Sequence, residues 1–507
     1  MADEARGAAT RTAAAATRTA AAADDAAVAT DGTARPQPRL EDRRERTLVI
    51  GAGSSGLTAA KNLRERGLAV DLVEREDRLG GNWNIEGSAS RVYESTHMIS
   101  SKPFTQYPDF PMPDDAPDYL HHTQVLAYLH RYAAHFGLDE LVELSTTVEE
   151  VTPLARGFDV TLTGPDGTRS ARRYGQLVVA NGHNWYPKWP SYPGQDSFTG
   201  ELLHSADYRS AAQLEGKRVV VVGAGNTGCD IVVEAAQRAT AAFHSTRRAY
   251  WYAPKYALGR PADQVSDAIF ALRLPLRATQ ALFEATARLV VGRYERFGLP
   301  TPDHRFLETH PIVNQQLLYH VGHGAITPKP DIDHLDGDEV VFTDGSRVTA
   351  DLVLFATGYL IRFPFLPEGL IPGGARPRLY RNVFHPDRDD LFVIGLIQPD
   401  SGQFCLVHWQ AVLVAAYLEL RQRDPAAAAA YLVAGRDHLD ERSQGGIDLI
   451  DSTRHYVEVE HADYVRDLER EIRDVEARSA GARSTGRARS AAGSAATPAA
   501  APAEMSA

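Results

Sequence analysis

The stretch Thr47–Gly56, reading Thr-Leu-Val-Ile-Gly-Ala-Gly-Ser-Ser-Gly, restricts the fold more than any other part of the chain. Residues suited to a buried strand run into glycines at 51, 53 and 56. In that spacing the first glycine permits a tight turn and the second lets backbone approach a pyrophosphate. The third lets the next helix pack on its strand, with its N-terminus toward the phosphates. A helix-periodic segment, Leu57–Arg66, stops at Gly67, and Ala69–Val73 is a second apolar strand ending at Glu74, eighteen residues past Gly56. A carboxylate there accepts hydrogen bonds from a ribose hydroxyl. Strand, turn, helix, strand and acid together predict a dinucleotide-binding unit rather than a structural glycine turn.

The unit recurs. Val219–Val222 is a strand, Gly223-Ala-Gly-Asn-Thr-Gly228 the turn, and Ile231–Arg238 lies in the helix that follows. Each copy later shows a hairpin and a closing strand. In the first, Phe158–Leu162 turns at Pro165-Asp166-Gly167 and leads to Gln176–Ala180; in the second, Glu339–Phe342 turns at Asp344-Gly345 and leads to Asp351–Ala356. The predicted fold is therefore α/β, with two Rossmann-like dinucleotide-binding domains. The copies differ where the second strand ends. The first offers Glu74, whereas in the second Ala242–Ser245 leads into Thr246-Arg247-Arg248. A carboxylate repels a 2′-phosphate and a guanidinium binds one through paired hydrogen bonds. The first site thus suits the adenosine of FAD and the second NADPH rather than NADH, against the alternative that Arg247 and Arg248 are solvated surface charges. A flavin and a nicotinamide on one chain imply hydride transfer into the flavin.

Composition excludes other classes. Acidic residues outnumber basic ones, 66 to 54, which argues against nucleic acid as a partner. Two cysteines, Cys229 and Cys405, make neither a disulfide framework nor a Cys-x-x-Cys pair, and fit a reducing cytoplasm. Ala411–Leu418 is about half a membrane span, so no membrane association is expected. No metal-ligand spacing is present. Residues 1–44 and 477–507, rich in Ala, Thr, Arg and Asp, are expected to be disordered tails. Between them, residues 45–185 read as the first part of the FAD domain and 186–354 as the NADPH domain, with a helical insert at about 262–319; 355–476 read as the second part of the FAD domain with closing helices. The insert's apolar period (Ile269, Leu272, Leu276, Leu282, Leu289) fits either a lid over a pocket or packing that covers a sheet face. His461–Arg478 reads as a solvated surface helix. A homodimer is compatible with the sequence, which does not fix the oligomeric state.

Between the two turns lies Phe198-Thr-Gly-Glu-Leu-Leu-His204-Ser-Ala-Asp-Tyr208. This F-x-G-x-x-x-H-x-x-x-[FY] pattern resembles the signature of the flavin-containing monooxygenases; related Baeyer–Villiger enzymes carry Trp where this chain has Tyr208. Phe355-Ala-Thr-Gly-Tyr359 matches a second signature, and Gly80-Gly-Asn-Trp83, Tyr107–Pro113, Pro311–Asn314 and Ile394–Pro399 are similar to family segments. The resemblance implies that the NADPH domain is nested within the FAD domain. It implies that NADPH reduces FAD, that the reduced flavin takes up dioxygen at C4a, and that retained NADP⁺ shields the hydroperoxide. One oxygen atom then passes to a small molecule, at nitrogen or sulfur, or at a carbonyl in related enzymes. A flavoprotein that binds nucleotide without catalysis is the reading from another class, and the intact glycines oppose it.

Carried over by position, Gly51, Gly53, Ser54, Ser55 and Gly56 hold the FAD pyrophosphate and Glu74 its ribose; Asn82 and Trp83 lie near the flavin part and Val148 near the adenine, and Thr357 and Gly358 also bind FAD. Gly223, Gly225, Asn226, Thr227, Gly228, Arg247 and Arg248 hold NADPH, with His204 at the hinge near it. One departure stands out. Family members have Asn three residues before the position of Lys102, and this chain has Ile99, which cannot donate a hydrogen bond. Ser100, Ser101 or His97 is the expected substitute donor, and a carbonyl substrate stays open.

Overall fold

A computed structural model describes residues 39–309, 311–450 and 456–494. Its first sheet is built from β1 (Leu40–Ile50), β2 (Ala69–Val73), β3 (Val142–Glu143), β4 (Thr147–Pro153), β5 (Phe158–Thr163) and β6 (Arg169–Val179). The order is β3-β2-β1-β6-β5-β4, and a late strand, Leu391–Val393, pairs in parallel with the end of β6. The first helix, α1 (Ser54–Glu65), joins β1 to β2, and α2 (His122–His135) precedes β3. β4, β5 and the first half of β6 form an antiparallel meander. Leu48, Leu72, Leu177 and Val178 are fully buried, as strands covered on both faces require.

The second sheet is wholly parallel: β7 (Glu201–His204), β8 (Arg218–Val222), β9 (Ala241–Ser245), β10 (Ile326–Lys329) and β11 (Leu352–Phe355), in the order β10-β9-β8-β11-β7. Here α3 (Asn226–Arg238) joins β8 to β9. The two sheets repeat one plan, and in both the last strand of the parallel part is supplied from outside the repeat. For the second sheet that strand, β7, precedes the unit; for the first, Leu391–Val393 follows it, after the chain has left β11.

Three segments differ from the sequence reading. Leu40–Arg44, placed in the N-terminal tail, belong to β1, because β6 is long enough to pair with them (Leu40 to Ala171, Arg43 to Tyr174) and Arg43 bonds Asp71 at 2.6 Å. The insert is only partly helical: α4 (Ala262–Phe270), α5 (Leu276–Val290) and a short turn at Tyr294–Phe297 are followed by α6 (Gln316–Gly322). Its apolar period is not a buried stripe, since Leu272 is 64% exposed and Leu289 86%. At the C-terminus, α7 (Gln403–Arg423) and α8 (Pro425–Arg436) precede α9 (His461–Ser494), which runs on past Ala477 where order was expected to end. An Ala- and Arg-rich sequence has high helix propensity, and Ser479 is still held by Arg423 at 3.3 Å. Nor is α9 a solvated helix: Tyr464, Leu468 and Val475 are buried in the core that holds α7. Among the described residues α7 alone is long and apolar enough to cross a membrane, and 72% of that window is buried inside the protein.

Candidate functional site

Both glycine turns sit at the C-terminal ends of their first strands, where open α/β sheets place ligands. The amide of Gly51 bonds the Val73 carbonyl at 2.8 Å, and the amide of Gly223 bonds that of Ser245 at 3.0 Å. These equivalent bonds align Thr246 with Glu74. Gly51 has φ +100°, and a β-carbon there would stand 2.6 Å from the Ala180 carbonyl oxygen. Gly223 has φ +118°, and a β-carbon on it would collide with the Ala356 carbonyl; one on Gly56 or Gly228 would collide with the carbonyl of Gly51 or Gly223.

The middle glycines behave differently. A β-carbon on Gly225 meets nothing within 4 Å, and one on Gly53 meets only the Gly81 backbone at 3.5 Å. Helices α1 and α3 begin at these residues with no side-chain cap and no acidic residue in the first turn. The amides of Ser54, Ser55 and Gly56, and of Asn226, Thr227 and Gly228, are first-turn donors that have no partner within the helix. A phosphate fits such an end through those donors and the helix dipole. The space and the donors therefore suit two pyrophosphates.

Glu74 is buried, and its carboxylate accepts from the Ala52 amide at 2.7 Å and the Glu76 amide at 3.1 Å. It thus braces the first turn, and each oxygen keeps a lone pair for a sugar hydroxyl. Burial holds its pKa above the ordinary carboxylate value, with the two amides acting in the opposite sense. Thr246, its counterpart, carries no charge, and Arg247 and Arg248 beside it are exposed, with no ion pair among the described residues. The adjoining His244 is buried; its Nε2 lies 3.0 Å from the Gly223 carbonyl and burial lowers its pKa to about 4, so the neutral ring donates to the turn.

The remaining predicted residues fall in three places. Val148 lies at the start of β4, beside Thr146, whose amide bonds the Glu74 carbonyl at 2.8 Å. Trp83 packs edge-on against Phe404 at the start of α7, and Asn82 accepts from the Arg91 amide at 2.8 Å. Thr357 and Gly358 lie in the crossing between the sheets: Thr357 donates to the Lys188 carbonyl at 2.6 Å, and the Lys188 amide donates to Gly358 at 2.9 Å. His204 is fully buried at the same crossing. Its Nδ1 accepts from the Ala206 amide at 3.0 Å, which leaves the proton on Nε2, 3.4 Å from Thr357 Oγ1. Burial, helped by Arg91, lowers its pKa to about 4. A ring so engaged braces the crossing and has no lone pair free to act as a base.

The segment 93–101 carries Ile99, 43% exposed, and the three expected substitute donors. Each of those already makes a bond, though the Ser101 hydroxyl only accepts, from Gln264 at 3.5 Å. Ser100 Oγ lies 2.9 Å from Thr105 Oγ1, the Ser101 amide donates to Asp263 at 2.6 Å, and His97 Nδ1 lies 2.8 Å from the Ser95 carbonyl. The sequence reading missed what grips this segment. Tyr93 OH donates to Asp230 at 3.2 Å, Ser95 Oγ and Tyr208 OH both donate to Glu234, and Lys255 donates to the Met98 carbonyl at 3.3 Å. Asn314 completes Asp230 at 2.7 Å, and Asn226 accepts from the Val313 amide at 3.2 Å. Asn226, Asp230 and Glu234 recur every four residues and so share one face of α3. That spacing was the available signal. Also missed was Gly395, φ +89°, where any β-carbon would collide with Ser55 in the first turn. Among the described residues no group of three or more His, Cys, Asp or Glu could hold a metal.

The family model described as flavin-binding monooxygenase-like matches residues 44–475. Flavin-containing monooxygenase 5 of Oryctolagus cuniculus is 35% identical over 373 residues, covering 70% of each chain. Dimethylaniline monooxygenase [N-oxide-forming] 2 of the same species is 31% identical over 385 residues, 72% of each chain. Among solved structures, S-allyl-L-cysteine S-oxygenase from Allium sativum superposes with a TM-score of 0.58 at 22% identity, over 84% of this chain and 88% of that one. Two uncapped glycine turns, one braced by an acid and one flanked by arginines, meet this match along nearly the whole described length: the chain belongs to the flavin-binding monooxygenase-like family and is an FAD- and NADPH-dependent monooxygenase.

Proposed function

We propose that FAD lies on the first turn, with Gly51, Gly53, Ser54, Ser55 and Gly56 at its pyrophosphate, Glu74 at its ribose, and Asn82, Trp83, Val148, Thr357 and Gly358 along the rest of its length. NADPH lies on the second, with Gly223, Gly225, Asn226, Thr227 and Gly228 at its pyrophosphate, Arg247 and Arg248 at its 2′-phosphate, and His204 supporting the hinge. On this reading residues 45–185 and 355–476 serve the flavin and 186–354 the nicotinamide. When bound, FAD reduced by NADPH supplies the dioxygen-activating chemistry. The protein's own residues bind, orient and exclude water. The acceptor is a soft nucleophile, nitrogen or sulfur, in a small organic molecule. The observation that carries the assignment of the two cofactors is the contrast between buried Glu74 and exposed Arg247 and Arg248 at equivalent strand ends. The protein is taken to be cytoplasmic; α7, with 72% of its apolar window buried inside the protein, is accounted for as a core helix.

The test is product formation. With NADPH and oxygen, an aryl methyl sulfide should give its sulfoxide and cyclohexanone little lactone. Lactone as the main product would overturn the choice of acceptor. Ile99 favours that second, carbonyl-directed reading, because the donor that family members place there is missing. Ile99→Asn should leave FAD content unchanged and lower the hydrogen peroxide released per NADPH oxidised. An unchanged ratio would remove Ile99 from the account.

A further inference from the structure

A hairpin ahead of α4 holds the segment around Ile99 at two points. Tyr256–Ala257 pairs antiparallel with Arg260–Pro261, and the Ala262 amide donates to the Lys255 carbonyl at 2.9 Å, closing the base. Lys255 Nζ donates to the Met98 carbonyl at 3.3 Å, and Asp263, at the other end, accepts from the Ser101 amide at 2.6 Å. Only Ile99 and Ser100 lie between those two bonds. Tyr119 OH donates to the Lys255 carbonyl at 2.7 Å and Tyr256 OH to Asp118 at 3.2 Å, which fixes the hairpin on the body of the protein.

The Lys255 ammonium has donors to spare. Of its N–H groups the Met98 carbonyl takes one, and the ammonium lies over the Tyr119 ring, 4.7 Å from its centre. Among the described residues it is in no ion pair. Burial lowers its pKa, and Asp230, facing it from α3 at longer range, acts in the opposite sense. Lys102 shows the contrast, for the carbonyls of Pro113, Asp114 and Ala116 each take one of its donors. Lysine is also scarce here, six among 54 basic residues, and part-buried ties elsewhere are made by arginine, as Arg43 with Asp71 and Arg388 with Asp390. What a lysine adds is a compact charge on a flexible stem that can direct its free donors. Asp230 stands one turn, about 6 Å of helix, beyond Asn226 of the second glycine turn. Lys255, facing Asp230 and bonded to Met98, thus lies between that turn and Ile99.

We propose that Lys255 is the donor that stands in for the amide missing at position 99, and that its spare N–H groups bind the nicotinamide half of NADP⁺. The inference rests on the monooxygenase reading and adds to it a nucleotide contact from outside both glycine turns. Ser100 and His97 are bonded within their own stretch of chain and the Ser101 hydroxyl is met by Gln264, whereas Lys255 keeps donors in reserve. The nicotinamide half presents ribose hydroxyls, an amide carbonyl and a phosphate, all of them acceptors. The hairpin is then a strap: Asp263 anchors it and Lys255 presents the charge.

The test uses the full chain loaded with FAD and labelled with ¹³C only at the ε-carbons of its six lysines. The signal lost in Lys255→Arg belongs to Lys255. NADP⁺ should move that signal, and 2′,5′-ADP, which lacks the nicotinamide half, should leave it in place. In Lys255→Met the dissociation constant of NADP⁺ should rise by about tenfold or more while that of 2′,5′-ADP stays unchanged, because a hydrogen bond from a charged donor is lost. The same variant should release several-fold more hydrogen peroxide per NADPH oxidised, and adding Ile99→Asn to it should bring that ratio back. A Lys255 signal that NADP⁺ leaves still or that 2′,5′-ADP moves equally, an equal loss of affinity for both ligands, or a peroxide ratio that Ile99→Asn does not restore would each overturn the proposal. The signal is read on the parent, so it decides even where Lys255→Met does not fold. Sulfide oxygenation by the parent separates the two readings: if sulfoxide forms while the signal stays still, only the Lys255 contact is lost, and if the signal moves while no sulfoxide forms, the contact stands and the reaction fails.

Discussion

At each turn the three glycines do different work, and single methyl groups separate their roles. A β-carbon at Gly228 collides with the Gly223 carbonyl, so Gly228→Ala must push backbone apart within the unit. Overpacking of this kind costs about 1–3 kcal/mol, and the expected outcome is a lower melting temperature with or without cofactor. At Gly225 the added methyl meets no protein atom and the φ of −68° is ordinary for alanine. Gly225→Ala should therefore melt like the parent and keep its flavin, yet lose NADP⁺ affinity by roughly tenfold or more, because hydrogen bonds to charged groups contribute about 1.5–3 kcal/mol. Calorimetric titration beside a melting curve checks both, and equal NADP⁺ affinity in the parent and Gly225→Ala would remove that turn from the nucleotide site. The arginines predict in the same manner. Arg247→Ala should raise the KM for NADPH by about ten- to a hundredfold and leave that for NADH unchanged, since only the former carries the phosphate that a guanidinium binds. Steady-state kinetics with each cofactor decides it, and parallel changes for both would mean a structural role.

What could be read from the sequence at the level of elements was whatever repeats locally. β1, α1 and β2, and again β8, α3 and β9, announce themselves through apolar runs and glycines a few residues apart. Tyr208 could be placed in a signature but not given a task, because its partner Glu234 is 26 residues on and Ser95, the other donor to that carboxylate, is 139 residues away from it. The insert's helical period fitted either a lid over a pocket or packing that covers a sheet face; burial depends on what lies opposite, which periodicity does not encode. The role of α3 as a strut follows from the structure alone. Its N-terminus carries the second turn, and its acidic face carries Tyr93 and Ser95, the start of the segment that includes Ile99. Filling the turn should therefore quiet that segment. Hydrogen exchange of a peptide covering 93–101 should slow when NADP⁺ is added to the parent. In Ser95→Ala combined with Tyr208→Phe, which removes both hydroxyls from Glu234, the peptide should exchange faster and NADP⁺ should no longer slow it. Unaltered protection in that double variant would show that the strut transmits nothing.

Across the whole molecule, buried imidazoles set the response to acid. His204 and His244 are 0% and 1% exposed, and burial holds each at a pKa of about 4. In the unfolded chain each titrates near 6.5. The unfolded state therefore binds protons that the folded state refuses, and stability falls as pH drops from about 6.5 toward 4. The upper bound is about 3 kcal/mol for each ring, at 1.36 kcal/mol per pKa unit. His385 shifts in the same direction, for the same reason. Asp230 opposes them: burial raises its carboxyl to about 6, so the folded state takes up a proton there that the unfolded state, titrating near 4, does not. That contribution is lost as pH rises through the same window. Asp400, which burial raises to about 7, and Glu74 act in the same sense as Asp230. Burial also lowers His183, to about 4, and His122, His408 and His461, so the imidazoles outnumber the raised carboxyls and stay in control. The melting temperature should then decline steadily between pH 6.5 and 4.5, His204→Gln should flatten the decline by about one proton, and Asp230→Asn should steepen it. Fluorescence-monitored melts across that range provide the check. A profile that stays level to pH 5 in the parent would mean that these rings are not neutral and enclosed as the fold places them, and the crossing at His204 would have to be drawn differently.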